Sequence, residues 1–247
     1  GAQASGSALV GLLTGMGVGA LIGLVFGTIS TSLRGSQLIS GVGINLLALG
    51  FVALMLSVMG APGFHSVARE VQVPLIPLGV GNLSPLVPIT VAIAIGVWWL
   101  LRRTQLGIWI RAVGENPAAA DVAGIRVNRV RLGAAVAAGV LAGLAGAYLS
   151  IDWFGAVTKE ITAGRGFIAL AIVVFSGLNP LLALLGGFIF GFFDGLATWV
   201  ATYPGIKDII PWQFVAMMPY VVTLAVVAGM IGRVRFPSAL GVPYLRE

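Results

Sequence analysis

The chain has 247 residues, 58% hydrophobic and only 9% charged, with fourteen Lys and Arg against eight Asp and Glu. An average soluble domain carries roughly 25% charged residues, so this balance excludes a soluble globular protein and points to the bilayer. The absence of cysteine rules out disulfide frameworks and thiolate metal sites, and one histidine, His65, cannot form a histidine metal cluster.

Seven apolar segments follow, at about 8–31, 39–60, 85–101, 132–150, 166–178, 181–200 and 213–231. They predict an all-α protein, a polytopic transmembrane helical bundle. The first segment carries Gly11, Gly15, Gly19, Gly23 and Gly27 at strict four-residue spacing. On a helix these positions make a ridge without side chains, against which another backbone packs closely. Gly139 and Gly143 repeat the pattern in the fourth segment, and Gly187, Gly191 and Gly195 in the sixth. The second segment holds a polar residue, Asn45, within Gly43-Ile44-Asn45-Leu46. It is read either as an interhelical hydrogen-bonding group or as part of a translocation path.

Between the third and fourth segments lies a polar insert, Arg102–Arg131, with six of the fourteen basic residues. Its centre, Gly114-Glu115-Asn116-Pro117-Ala118-Ala119-Ala120, predicts a short helix. Asn116 suits the N-cap, Pro117 the first helical position, and the alanines propagate it. A short helix presented by a basic loop is read as a docking element on the cytoplasmic face.

The fifth segment is short for a span, so it is a half-helix or extends back to Ile161, with Thr162 placed to cap it. Asn179-Pro180 breaks the chain ahead of the sixth segment. Asp194 is the one acid deep inside a predicted span, about 20 Å from the span's start. An ionisable group there faces the bundle interior or water. It is either a substrate contact or proton-relay carboxylate, or a side chain hydrogen-bonded to a neighbouring helix. Trp153, Phe154, Trp199 and Trp212 lie near predicted outer ends, where an interfacial aromatic belt is the default.

Placing the insert inside puts Arg34, Arg102, Arg103, Arg111, Arg126, Arg129, Arg131, Arg233, Arg235 and Arg246 on the cytoplasmic side. Only Arg69, Lys159, Arg165 and Lys207 then lie outside, a ten-to-four split that favours this orientation and a cytoplasmic C-terminus. The net charge of +6 is thereby accounted for by topology, without a nucleic acid partner. Neither lysine sits in a GxxxxGK[ST] loop, no HExxH occurs, and no serine, histidine and acid fall plausibly together. Enzymatic chemistry and a cofactor of the chain's own are not expected.

The stretch Leu33-Arg34 through Gly41-Val42-Gly43-Ile44-Asn45-Leu46-Leu47-Ala48-Leu49-Gly50, then RAVGENPAAADVAGIRVNRVR, LAGLAGAYLS and TAGRGFIALAIVVFSGLNPLLALLGGFIFGFFDGLA, resembles a known permease family in order. That family is the membrane subunit of bacterial ATP-binding-cassette importers for simple sugars, nucleosides and branched-chain amino acids. Within it the chain looks most like the simple-sugar and nucleoside branch. The resemblance implies a multi-pass subunit of the inner membrane, formed as a single permease domain over 1–247 with a cytoplasmic coupling loop at 102–131. It implies a second permease subunit, identical or related, cytoplasmic ATP-binding subunits that hold the ATP, and an extracytoplasmic substrate-binding protein. It places Arg111, Glu115, Asn116, Ala118, Ala119, Gly124 and Ile125 in the ATPase-coupling segment, and leaves Asn45 and Asp194 as translocation-path residues. Members carry further N-terminal spans, so the chain is expected to be an N-terminally incomplete permease. Rival readings are a branched-chain amino acid permease, a proton-coupled secondary transporter using Asp194, and a membrane scaffold.

Overall fold

The computed structural model describes residues 5–60, 63–67, 76–77, 82–202, 211, 213–218, 220–221 and 236–244. The helices in chain order are α1 (Ala8–Thr31), α2 (Gln37–Val58), α3 (Leu86–Arg103), α4 (Gln105–Glu115), α5 (Pro117–Val122), α6 (Val127–Tyr148), α7 (Arg165–Phe175) and α8 (Pro180–Thr202). A π-helical turn, Leu149–Trp153, continues α6. Four short strands complete the described elements: β1 (Phe64–Ser66), β2 (Ile76–Pro77), β3 (Asn82–Leu83) and β4 (Ala156–Thr158). β1 pairs antiparallel with β4, with His65 opposite Val157, and β2 pairs antiparallel with β3.

Among the described residues, five helices are long and apolar enough to cross a bilayer: α1, α2, α3, α6 with its π turn, and α8. The all-α polytopic expectation is met. The fifth predicted segment is α7, whose 11 residues reach about 16 Å, roughly half the hydrocarbon thickness. It does not extend back to Ile161. Of the seventh predicted segment, 213–218 and 220–221 are helical and the remainder lies outside the described residues, as do Arg69, Lys207, Trp212, Arg233, Arg235 and Arg246.

The chain divides into two compact units, one of residues 1–89, 101–163 and 237–247, the other of 90–100 and 164–236. In the first, α1 packs along α6 through the predicted glycine ridges. A Cβ added at Gly15 would fall 2.7 Å from Ala147 Cβ, and one at Gly23 would fall 2.6 Å from the Ala135 carbonyl oxygen. Gly19 meets Gly139 and Gly143 backbone to backbone. Such contact replaces the hydrophobic drive that lipid does not supply, because acyl chains solvate leucine as well as another helix does. A small cluster of Leu12, Leu86, Ala147 and Ile151 closes one end of this pair.

In the second unit α7 and α8 form an antiparallel hairpin. Gly177 and Leu178 take left-handed conformations at φ +56° and +63°, ending α7. The Leu181 amide donates to Asn179 Oδ1 at 3.1 Å, with Pro180 at the first helical position, so the predicted Asn-Pro break is a helix start. Gly186 packs on Ile172, where an added Cβ would lie 2.8 Å from Ile172 Cγ2. Among the described residues, the expected ridge of Gly187, Gly191 and Gly195 does not pack this way: none of them comes within 4 Å of a Cβ at any of the three. The close-packed glycine, Gly186, is about 100° round the helix from Gly187. Thr162 does not cap α7 either. The N-cap is Gly164, at φ +80° and without a side-chain cap bond.

Candidate functional site

The insert predicted as a loop is two helices and the foot of a third. Thr104 opens α4, accepting from the Gly107 amide at 3.3 Å, and Arg111 Nε donates to the Gly107 carbonyl at 3.3 Å. α4 ends at Glu115, so Gly114 and Glu115 belong to it rather than to the short docking helix. That helix is α5, Pro117–Val122. Asn116 caps it as predicted: its Oδ1 accepts from the Ala119 amide at 3.0 Å, with Pro117 next in line.

The exit from α5 is a Schellman turn. The Ile125 amide donates to the Ala120 carbonyl and the Gly124 amide to the Asp121 carbonyl, each at 2.9 Å. Gly124 makes this possible at φ +83°, a conformation that a side chain resists. Ile125 then packs against Val113, Ala120 and Val127, the buried core of the insert. Ala118, Ala119 and Gly124 remain exposed, as do Arg111, Glu115 and Asn116. Val122, 91% exposed, adds an apolar knob that the sequence reading did not single out. α6 begins at Val127, five residues before the predicted fourth segment, and a cleft of about 360 Å³ beside it is framed by Asp121, Arg126, Arg129 and Tyr244.

A contact not foreseen from sequence ties the insert to residues 237–244. Ser238 Oγ donates to the Glu115 carbonyl, the Ala239 amide to the Gly114 carbonyl at 3.1 Å, and Tyr244 OH to Asp121 Oδ2 at 3.1 Å. Arg131 donates to the Val242 carbonyl at 2.8 Å. The insert and this segment therefore lie on one side of the membrane. Partners separated by more than a hundred residues leave no local signal in the chain.

Asp194, on α8, is not alone. Arg165, the first residue of α7, donates to Asp194 Oδ2 at 3.1 Å, the two side chains being 32% and 46% exposed. The charge pattern of the sequence places Arg165 in the outer loop and offers it no partner. A helix-end cation meeting a mid-helix acid follows from the hairpin: residues equidistant from Asn179 face each other. Asn45 lies exposed on α2 in the other compact unit. Its side-chain carboxamide has no hydrogen-bond partner among the described residues. A cavity of about 620 Å³ in the first unit lies among α1, α2 and α6, with Phe51, Met55 and Met59 on one side and Gly15, Gly19 and Gly143 on the other. Neither Asn45 nor Asp194 lines it.

Residues 2–227 match the family described as "Branched-chain amino acid transport system / permease component". The chain is 34% identical to the nucleoside ABC transporter permease protein NupC of Lactococcus lactis, over 93% of this chain and 76% of that protein. It is 34% identical to the guanosine ABC transporter permease protein NupQ of Bacillus subtilis, over 95% and 77%. A putative glucose ABC transporter permease protein, TsgC13 of Haloferax volcanii, is 30% identical over 98% and 83%. No solved structure matches.

Proposed function

The chain belongs to this permease family of ATP-driven transport systems, and from that premise we propose that it carries nucleosides inward across a bacterial inner membrane. The observation that carries the solute class is the likeness to NupC and NupQ through more than nine-tenths of the chain. Two permease subunits, identical or related, enclose the path. An external binding protein delivers the nucleoside, and ATP is bound and hydrolysed by cytoplasmic partner subunits rather than by this chain. The C-terminus and the insert face the cytoplasm, supported by the ten-to-four split of basic residues.

In this reading α5 is the coupling helix. Ala118 and Ala119 let it seat in a cleft of the ATP-binding subunit, and Val122 supplies apolar contact beside them. Asn116 and Gly124 fix its two ends, Ile125 anchors the exit to the core, and Arg111 and Glu115 border the seat with charge. When the ATP-binding subunits close, the displaced helix transmits motion through Val127 into α6. Asn45 and Asp194 are polar groups of the path. Asp194 has a cationic partner in Arg165, and in this reading the pair offers polar contact to the solute.

The test is uptake by the full-length subunit co-expressed with its ATP-binding and binding-protein partners in proteoliposomes. Labelled guanosine, ribose and leucine are compared, with and without a protonophore. Guanosine uptake that requires ATP and survives the protonophore is expected. Uptake of ribose or leucine in its place overturns the solute class, and uptake without ATP overturns the mechanism.

A further inference from the structure

We infer that residues 237–244 form a strap that locks α4, α5 and the foot of α6 into one lever. The transport consequence rests on the coupling role proposed for α5, whereas the strap itself rests on contacts alone. A helix of six residues has little stability of its own, since isolated helices shorter than ~12–15 residues are marginal in water. It transmits force only if both ends are tied to something stiffer. The turn at Gly124 closes α5 on itself, its two hydrogen bonds ending on the Ala120 and Asp121 carbonyls, and leaves the packing of Ile125 as the only local tie on that side.

The strap touches each of the three elements. Ser238 and Ala239 donate to the carbonyls of Glu115 and Gly114, the last two residues of α4. Those carbonyls are orphans of a helix end, since the chain turns away at Asn116 and the Ala119 amide is already taken by the Asn116 side chain. The strap thus occupies the place of the next helical turn. Tyr244 packs its ring against the Val113, Ala120 and Val127 core and donates its hydroxyl to Asp121, the only acid in α5. Arg131, in the second turn of α6, holds the strap at Val242. Tyr244, Asp121 and Arg131 are therefore positioning residues for the coupling helix.

The complete transporter in proteoliposomes reads this as ATP hydrolysed per nucleoside imported. Tyr244→Phe removes the hydroxyl, and Asp121→Ala the carboxylate that accepts from it. Each is expected to raise the ratio by roughly threefold, the scale of one lost hydrogen bond, and the double variant by no more. Asp121→Asn keeps an acceptor oxygen and should restore the ratio, with the ATP-binding subunit retained in every purified complex. Unchanged ratios in both single variants would overturn the inference.

A second variant exploits the cysteine-free chain. A Cβ added at Gly114 would lie 3.4 Å from Pro237 Cβ, at the edge of the roughly 3.5–4.5 Å that a disulfide spans. Gly114→Cys/Pro237→Cys should cross-link within the chain on oxidation and import at the same ratio oxidised and reduced. Failure to cross-link, or import that stops on oxidation, overturns a strap that stays closed. If the unmodified protein retains no ATP-binding subunit, the coupling role falls. The cross-link, with faster amide exchange over Ala118–Val122 in Tyr244→Phe, then still decides the strap.

Discussion

α1 and α8 carry glycine at the same four-residue spacing, and the structure uses them oppositely. Gly15, Gly19, Gly23 and Gly27 of α1 lie against α6, with no room for a methyl group. Gly187, Gly191 and Gly195 of α8 are exposed, and no described residue stands within 4 Å of where a Cβ would be. Spacing creates a strip without side chains; only the neighbouring helix decides whether two backbones meet there. α6 offers a complementary strip of Ala135, Gly139, Gly143 and Ala147, so both helices yield. α7 instead presents Ile172 to Gly186, one branched side chain on a single glycine, and adds the Arg165–Asp194 pair.

The comparison breaks most visibly at Gly19. Gly19→Leu would force a branched side chain into the backbone of Gly139 and Gly143, whose Cα lies 2.9 Å from the first added carbon. Overpacking of this kind costs about 3 kcal/mol or more when backbone, not a side chain, must move. The expected outcome is loss of the monodisperse detergent-solubilised protein, or a sharply lowered melting temperature. A variant that melts like the unmodified protein would show that α1 and α6 separate freely.

Gly124 is needed for its conformation alone, which separates room from backbone freedom. At φ +83° with open space around it, Gly124→Val should cost about 1–2 kcal/mol locally and lower uptake with membrane insertion unchanged. Gly124→Asn should retain more activity than Gly124→Val, since asparagine tolerates the left-handed region. Gly124→Trp adds bulk at the seat and should abolish retention of the ATP-binding subunit. If the valine and asparagine variants behave alike, the turn does not depend on this conformation.

The hairpin offers a smaller effect. Asp194→Asn leaves a hydrogen-bond acceptor for Arg165 and removes the ion pair, whose exposure limits its contribution to about 0–1 kcal/mol. Thermal stability should therefore change little, while guanosine uptake kinetics shift if the pair contacts solute. Unchanged kinetics would return Asp194 to a purely structural role in holding α7 to α8.

What could be read ahead of the structure was local. Asn116 with Pro117, and Asn179 with Pro180, are cap-and-start signals within a few residues, and both helices begin where those signals stand. Long apolar runs located the spanning helices within a few residues for the same reason. The turn at Gly124 is local in the same sense, since its requirement is one residue's own φ. Thr162 was misread since capping residues compete, and Gly164 reaches the left-handed angle that the entry to α7 takes. The Arg165–Asp194 pair needed the hairpin's register, and the Tyr244–Asp121 bond joins residues 123 apart. No periodicity or motif encodes such partners.

The smallest effect carries the comparison furthest. Gly191→Ala adds a methyl group to open space in a helix interior, where alanine is favoured by about 1 kcal/mol. Stability of the purified subunit should hold or rise slightly. Uptake by the assembled transporter should also hold if the α8 ridge faces lipid. A subunit that melts normally yet loses uptake would mean that another helix, from a second permease subunit, closes on Gly191 as α6 closes on Gly19. The two ridges would then differ only in where their partner comes from.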